Sequence, residues 1–428
     1  RRPSYKWKYQ TMEINKKFKI VHFVGGRKNS GAFKGANILH EDLLKNKIDS
    51  SMIYEKDDTK IKKIKSYLRQ SIEKFPKIFY PKRKKTTFSS SIIGYNFIND
   101  KLYKNSDIIH LHWINNGFFD ISKINLINKP IIWTIRDMWP FTGGCHYTLG
   151  CNRFMSNCYS CPQLKSNFNY DLSTFNQNRK IKYLNKNISF VVNSNWMKKM
   201  AEKSTVLKNF KILTFYPSFD IENFFEDKLI DKKIMNLNPN KKIILYGAQN
   251  IEAEYKGFKY FLDSIDYLDK SKFQIVFFGN FWNLQKIKDK KIEFTNFGFI
   301  KDVKIQRKLY SIADVFVATS LQEGFPKTVS ESLLCNTPVV YFKDTAIEDI
   351  CENKIIGGYG ANYKDSKDLA NGINWIIENE QISKNIAIEA KKKIKENFNS
   401  KNLIQKYINL YQEILDKVPE SVKDKFLI

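Results

Sequence analysis

The segment ATSLQEGFPKTVSESLLCNTPVV, residues 318 to 340, sets two carboxylates, Glu323 and Glu331, with seven residues between them, among them Gly324, Phe325, Pro326, Lys327 and Thr328. Its pattern reads strand, loop, helix, strand. Gly324 permits a tight turn and Pro326 suits the first turn of a helix. Val329, Leu333 and Leu334 face the interior, Asn336 sits where a left-handed cap is needed, and Pro338 stops the helix. Unpaired amides over Phe325 to Thr328 would form an anion site fit for a pyrophosphate. Glu331, about a turn inside, could accept two hydrogen bonds from a ribose diol. The alternative is that both carboxylates are solvated helix-end charges.

Four of the six cysteines, Cys145, Cys151, Cys158 and Cys161, fall within seventeen residues, with His146 beside the first. A CxxC pair with two further thiols can close a tetrahedral thiolate site, for which Zn²⁺ is the natural occupant. Such a site would be structural, tying a loop; unmetallated thiols and disulfides are the other readings. Cys335 and Cys351 lie apart and read as packing residues. The clustering differs from the spread-out pairs of a secreted scaffold, so a reducing cytoplasm is expected.

Between Lys60 and Lys85 eleven Lys or Arg accompany one acid, Glu73, a local charge of +10. Ile61, Ile64, Leu68, Ile72 and Phe75 recur at three- and four-residue steps. A basic amphipathic helix of this kind can lie on an anionic bilayer, here the inner face of the plasma membrane. Packing of its apolar stripe on its own domain is the competing reading.

These residues need rigid supports, and 428 residues suffice for two domains. Apolar runs at 18–26, 107–113, 129–135 and 188–194 read as buried parallel strands separated by helices, the first ending in Gly25 and Gly26 with Gly31 opening a helix. A second series begins at 241–248 and continues through 274–279, 292–300, 313–320 and 337–342. The expected class is therefore α/β with two doubly wound sheets: a tail over 1–15, a first domain over 16–218, a second over 219–398. Leu403, Tyr407, Leu410, Tyr411 and Ile414 mark a last helix in 399–428 that docks back on the domains. No stretch reaches the roughly 18 apolar residues of a membrane-spanning helix. Lys and Arg exceed Asp and Glu by 72 to 44, net +28, so nucleotide phosphates, acidic lipids or nucleic acid are the electrostatic partners.

EGFPKTVSE resembles the Glu, seven residues, Glu signature of glycosyltransferase family 4, whose two Rossmann-like domains face a central cleft in the GT-B fold. The resemblance implies that Glu323 holds hydroxyls of the transferred sugar and Glu331 the ribose. YGAQNIEAEYKGF resembles the segment after the first strand of the second domain, with Gly247 at the strand end and Lys256 as the diphosphate lysine. That family usually adds an Arg there; Gln249 stands in its place, and Lys327 is a candidate substitute. Phe299 and Ile300 match the base-packing position, with core packing equally open. In the first half, DIIHLHWINNGFF, KPIIWTIRDMWPFTGGCHYTLGC and CYSCPQL resemble a branch that builds bacterial exopolysaccharide and lipopolysaccharide. His112 matches its cleft-facing histidine, Gly25, Gly26 and Gly31 its first Gly-rich loop, and Asp137 the Asp of TLHD, where this chain reads TIRD with Arg136.

The resemblance spans roughly residues 18 to 415 and implies a retaining, metal-independent hexosyltransferase. The donor would be a UDP- or GDP-linked sugar and the acceptor a lipid-linked or oligosaccharide glycan; no redox cofactor is expected. His112, Glu323, Lys256 and Asp137 are its candidate catalytic residues. A nucleotide-sugar epimerase or phosphorylase on the same plan is the enzymatic competitor. Binding of polyanion or nucleic acid is the other, disfavoured by the lack of clustered aromatic and basic motifs.

Overall fold

The computed structural model describes residues 18–26, 28, 30–55, 60–184, 187–218 and 221–417. The tail expected over residues 1–15 lies outside them. The first sheet contains β1 (Lys19–Val24), β2 (Asp49–Tyr54), β3 (Ile108–Leu111), β4 (Ile131–Ile135), β5 (Ile188–Val192) and β6 (Ile212–Thr214), in the order β2-β1-β3-β4-β5-β6. The second contains β7 (Lys242–Asn250), β8 (Phe273–Asn280), β9 (Glu293–Asn296), β10 (Val315–Ala318), β11 (Val339–Phe342), β12 (Glu352–Asn353) and β13 (Gly357–Ala361), ordered β12-β13-β11-β10-β7-β8-β9. Every pairing within both sheets is parallel.

Parallel strands are covered on both faces, which is why these segments read as unbroken apolar runs. Val21, Phe23, Ile109 and Trp133 fill one side of the first sheet; Ile20, Ile108, Ile132 and Val191 fill the other. The last helix, Ser400–Asp416, returns to that second side and buries Tyr407, Ile408, Leu410 and Tyr411 there. Leu245, Val276 and Phe316 pack on one face of the second sheet, and Ile244, Ile275 and Val317 on the other.

Strand order reverses between β1 and β3 in the first sheet and between β7 and β10 in the second. In open α/β sheets the crevice beyond the strand carboxyl ends at such switch points is where ligands bind. Gly25 and His112 follow β1 and β3, and the 319–326 loop follows β10, so chain order alone brings the candidate residues to these two crevices.

Candidate active site

In the second domain the helix expected near Pro326 runs Lys327–Leu334, and Asn336 has φ +62°, the left-handed closure that its position requires. Glu323 lies on the loop before it, where Lys256 Nζ donates to its Oε1 at 2.7 Å. The two come together because Gly257, at φ +66°, packs against β10: a methyl group there would sit 2.1 Å from the Thr319 carbonyl oxygen. Burial alone would lower the Lys256 pKa, but the Glu323 carboxylate outweighs it and the net shift is upward, so the amine is charged. Glu331 is buried; its Oε2 accepts from the Tyr310 hydroxyl at 3.0 Å, and Lys327 Nζ stands 3.5 Å from its Oε1. Burial and then Glu331 hold the Tyr310 phenol protonated, well above its ordinary range.

Other assignments land differently. Phe325 packs its ring on Phe398 and Tyr216, a structural role at the junction of the domains. The space a side chain at Gly247 would need is filled by the Phe278 ring, so packing accounts for that glycine. Phe299 is half exposed while Ile300 leans on the core. Gln249 is exposed.

The loop around Glu323 meets the first domain directly. A methyl on Gly324 would stand 2.5 Å from the Arg136 carbonyl oxygen. Gln322 Nε2 donates to Thr148 Oγ1 (2.8 Å), and its Oε1 accepts from the Leu149 amide (2.9 Å). Tyr147 stacks on Tyr255 at 4.2 Å between centroids. Asp137 is committed within its own domain: Oδ2 takes His146 Nδ1 (2.7 Å) and Trp113 Nε1 (3.0 Å), and Oδ1 accepts from the Trp139 amide (2.9 Å). That places Asp137 as a support for the Trp113 loop, on which Gly25 is also pinned through a 2.6 Å bond from its amide to the Trp113 carbonyl. Gly26, at φ +86°, continues this loop, and Gly31 opens the following helix with free space beside it.

His112 is buried at the mouth of β3 within a network that sequence reading did not find. Its Nε2 lies 3.0 Å from His22 Nδ1, and Ser50 Oγ lies 3.1 Å from His22 Nε2 and 2.7 Å from His40 Nδ1. His110 bonds the Tyr411 hydroxyl (2.7 Å) and Thr134 Oγ1 (2.8 Å). Burial above all keeps these imidazoles neutral, lowering the His22 pKa to about 3 and those of His110 and His112 well below their usual value. A histidine inside the apolar run KIVHFV was the one available signal for His22.

Cys145, Cys151, Cys158 and Cys161 carry free thiols and line one small cavity of about 20 Å³. Burial raises Cys145, Cys158 and Cys161, the Cys158 thiol to about 12. Among the described residues, however, the group of three ligand atoms within 4.8 Å of one another is His22, His110 and His112, not a set of these sulfurs. A tetrahedral site would therefore require the thiols to close in on the cavity.

The Lys60–Lys74 helix is turned inside out relative to a packed amphipathic helix. It buries Ser66 and Glu73, while Ile61 is 67% exposed and Ile64 60%; Leu68, Ile72, Phe75 and Phe79 are also exposed. Polar contacts anchor it: Glu73 accepts from the amides of Ser90 (2.7 Å), Ser91 (2.8 Å) and Ile92 (3.2 Å), and Arg69 pairs with Glu55 at 2.5 Å. No helix among the described residues is long and apolar enough to cross a membrane.

Two parallel α/β domains with facing switch points define the GT-B fold, and solved structures share it along nearly the whole chain. Sucrose-phosphate synthase from Thermosynechococcus elongatus superposes with TM-score 0.65 at 15% identity, covering 94% of this chain and 100% of that one. Anabaena HepE in complex with UDP-glucose superposes with TM-score 0.60 at 16% identity, covering 92% and 100%. Residues 227–393 match the family described as Glycosyl transferases group 1, so the second half carries that domain. A sequence relative is the N,N'-diacetylbacillosaminyl-diphospho-undecaprenol alpha-1,3-N-acetylgalactosaminyltransferase of Campylobacter jejuni, 28% identical over 188 residues, 43% of this chain and 48% of that protein. The chain spans about half the length of the curated relatives it matches.

Proposed function

We propose that the protein is a glycosyltransferase that moves a sugar from a nucleotide diphosphate donor to a lipid-linked glycan acceptor, retaining anomeric configuration without a catalytic metal. The observation that supports this reading is the Lys256–Glu323 pair on the loops after β7 and β10, with the buried Glu331 on the helix that follows. Transfer needs the departing diphosphate stabilised while positive charge grows at the anomeric carbon. Lys256 keeps donor protons beyond the one given to Glu323, and the Lys327–Leu334 helix offers the amides that follow Lys327, whose own amide donates to the Phe325 carbonyl; both are fixed in place before substrate arrives. Glu323 positions sugar hydroxyls and is not cast as a nucleophile. Glu331 receives the ribose, sharing its oxygens with Tyr310. The structural likeness to HepE bound to UDP-glucose favours a nucleotide-sugar donor, with UDP or GDP as the two candidates.

The acceptor reading rests on the exposed apolar and basic face of the Lys60–Lys74 helix, whose charge complements an anionic leaflet at the inner face of the plasma membrane. A cavity of about 590 Å³ lined by Met52, Tyr54, Lys62, Lys65, Arg69 and Tyr95 lies beside it. The name of the Campylobacter jejuni relative points to a lipid diphosphate acceptor in the same direction, and a role in surface polysaccharide synthesis follows from that acceptor. A structural zinc on the four cysteine thiols belongs to the same proposal, since four soft ligands border one cavity. Metal analysis of the purified protein should find one zinc per chain; none would remove it.

The deciding experiment measures nucleoside diphosphate release from a panel of UDP- and GDP-sugars with and without lipid-linked acceptor. Acceptor-dependent release is expected. Release that ignores acceptor, or none with any donor, would replace this reading with an epimerase, a phosphorylase or a polyanion-binding protein.

A further inference from the structure

Arg136 follows β4 on the same face as Ile132 and Thr134, at the end of the strand that opens on the interdomain cleft. Its guanidinium lies against the helix Gly31–Lys45, and only a glycine leaves room there: a methyl on Gly35 would stand 2.6 Å from Nη1. Arg136 Nε is shut off from solvent without a hydrogen-bond partner, and no described residue forms an ion pair with the side chain. The neighbouring acid cannot serve, because both Asp137 oxygens are taken by His146, Trp113 and Trp139. A second orphan accompanies it. His112 Nδ1 is buried without a partner, while its Nε2 closes the chain His40, Ser50, His22. With His40 donating to Ser50, each link donates onward and the chain ends in an unused His112 Nδ1–H.

Arg136 is half-buried, but its Nε is sealed from water without an acceptor, which is costly, and this donor and His112 Nδ1 on adjacent strand ends call for an anion. A cation does not fit. Both nitrogens of His22 and both of His110 are engaged, and the uncompensated charge of Arg136 stands beside them. The candidates beside Lys256 in the second domain do not supply a second free cation. Gln249 is neutral, Lys327 is turned to Glu331, and Lys256 is itself balanced by Glu323, leaving the charge of a diphosphate or of an acidic sugar unmet.

We propose that Arg136, with His112, forms an oxyanion subsite contributed by the first domain, which takes a phosphate or carboxylate oxygen of the donor. This rests on the nucleotide-sugar reading above and adds to it that the first domain supplies the second positive charge.

The test uses the full chain and calorimetric titration with UDP, UDP-glucose and UDP-glucuronate, and with GDP and GDP-mannose, for wild type, Arg136→Met and Arg136→Lys. Arg136→Met should weaken binding at least tenfold, with Arg136→Lys between it and wild type. An equal loss across nucleotides and sugars assigns the oxyanion to the diphosphate; a loss confined to UDP-glucuronate assigns it to a sugar carboxylate. Without ligand, Arg136→Met should melt at or above the wild-type temperature, since it removes a sealed Nε donor that has no acceptor. Unchanged affinity for every ligand in a folded Arg136→Met overturns the proposal, as does unchanged binding by Arg136→Lys if the Met variant fails to fold. Wild type that binds none of the nucleotides would instead sink the glycosyltransferase reading.

Discussion

Glu331 is buried on the helix after the Glu323 loop, with the Tyr310 phenol on Oε2 and Lys327 beside Oε1, and a ribose hydroxyl would join these donors. Glu331→Gln should weaken nucleotide binding by about tenfold or more, the range of a hydrogen bond to a charged group, with thermal stability nearly retained. Titration calorimetry checks it, and unchanged affinity removes the assigned role. The buried imidazoles predict an acid response. His22 has a folded pKa of about 3 against an unfolded value of about 6.5. Between those values the unfolded chain binds the extra proton, so stability falls as pH drops below about 6.5, by up to about 1.4 kcal/mol per pH unit for this group. Urea midpoints at pH 7.5 and 5.5 should separate less in His22→Gln than in wild type. The positions of Glu323, Glu331 and Lys256 on a loop, a helix and a turn could be read from local motifs. The Tyr310–Glu331 and Tyr411–His110 hydrogen bonds could not, since the partners lie 21 and 301 positions apart in sequence and only packing joins them.

Among elements, the Lys60–Lys74 helix shows the limit of periodicity. Its apolar stripe was readable, but its direction was decided by Glu73, whose carboxylate caps three consecutive amides and draws the polar edge inward. Ile64→Gln with Leu68→Gln should therefore leave the melting temperature unchanged while reducing sedimentation with anionic liposomes. Replacing Lys60, Lys63, Lys65 and Lys74 by Gln should cost roughly 1 kcal/mol per cation, about a thousandfold in partitioning. Equal binding to neutral vesicles would count against the electrostatic account. Glu73→Gln should instead destabilise the fold by about 1–3 kcal/mol, read from urea unfolding, because buried amides lose a charged acceptor. The buried strands were visible as apolar runs. β2, with sequence DSSMIY, and β13, GGYGA, were not, for polar residues and glycines carry no strand signal and only their neighbours place them.

For the whole molecule, one contact between the domains is titratable. Asp349 Oδ2 accepts from the Asn195 amide at 2.6 Å, across from the second domain to a helix start of the first. Burial foremost raises its pKa to about 6. Its unfolded form ionises nearer 3.8, so as pH rises from about 4 to 6 the folded state loses stability relative to a chain without this carboxyl. Asp349→Asn should thus gain on wild type over that interval in thermal melts at pH 4, 5 and 6; parallel curves would refute the assignment. By itself the sequence determined two parallel sheets, the loop bearing Glu323 and its helix, because buried strands, a turn glycine, a helix-breaking proline and a left-handed cap are each set by neighbours a few residues away. Only the tertiary structure decided which side of the basic helix faces outward, that Asp137 braces a loop, and that Arg136 stands beside the cleft without an acid. Those outcomes depend on which distant groups arrive to satisfy a buried charge, and chain order does not encode that locally.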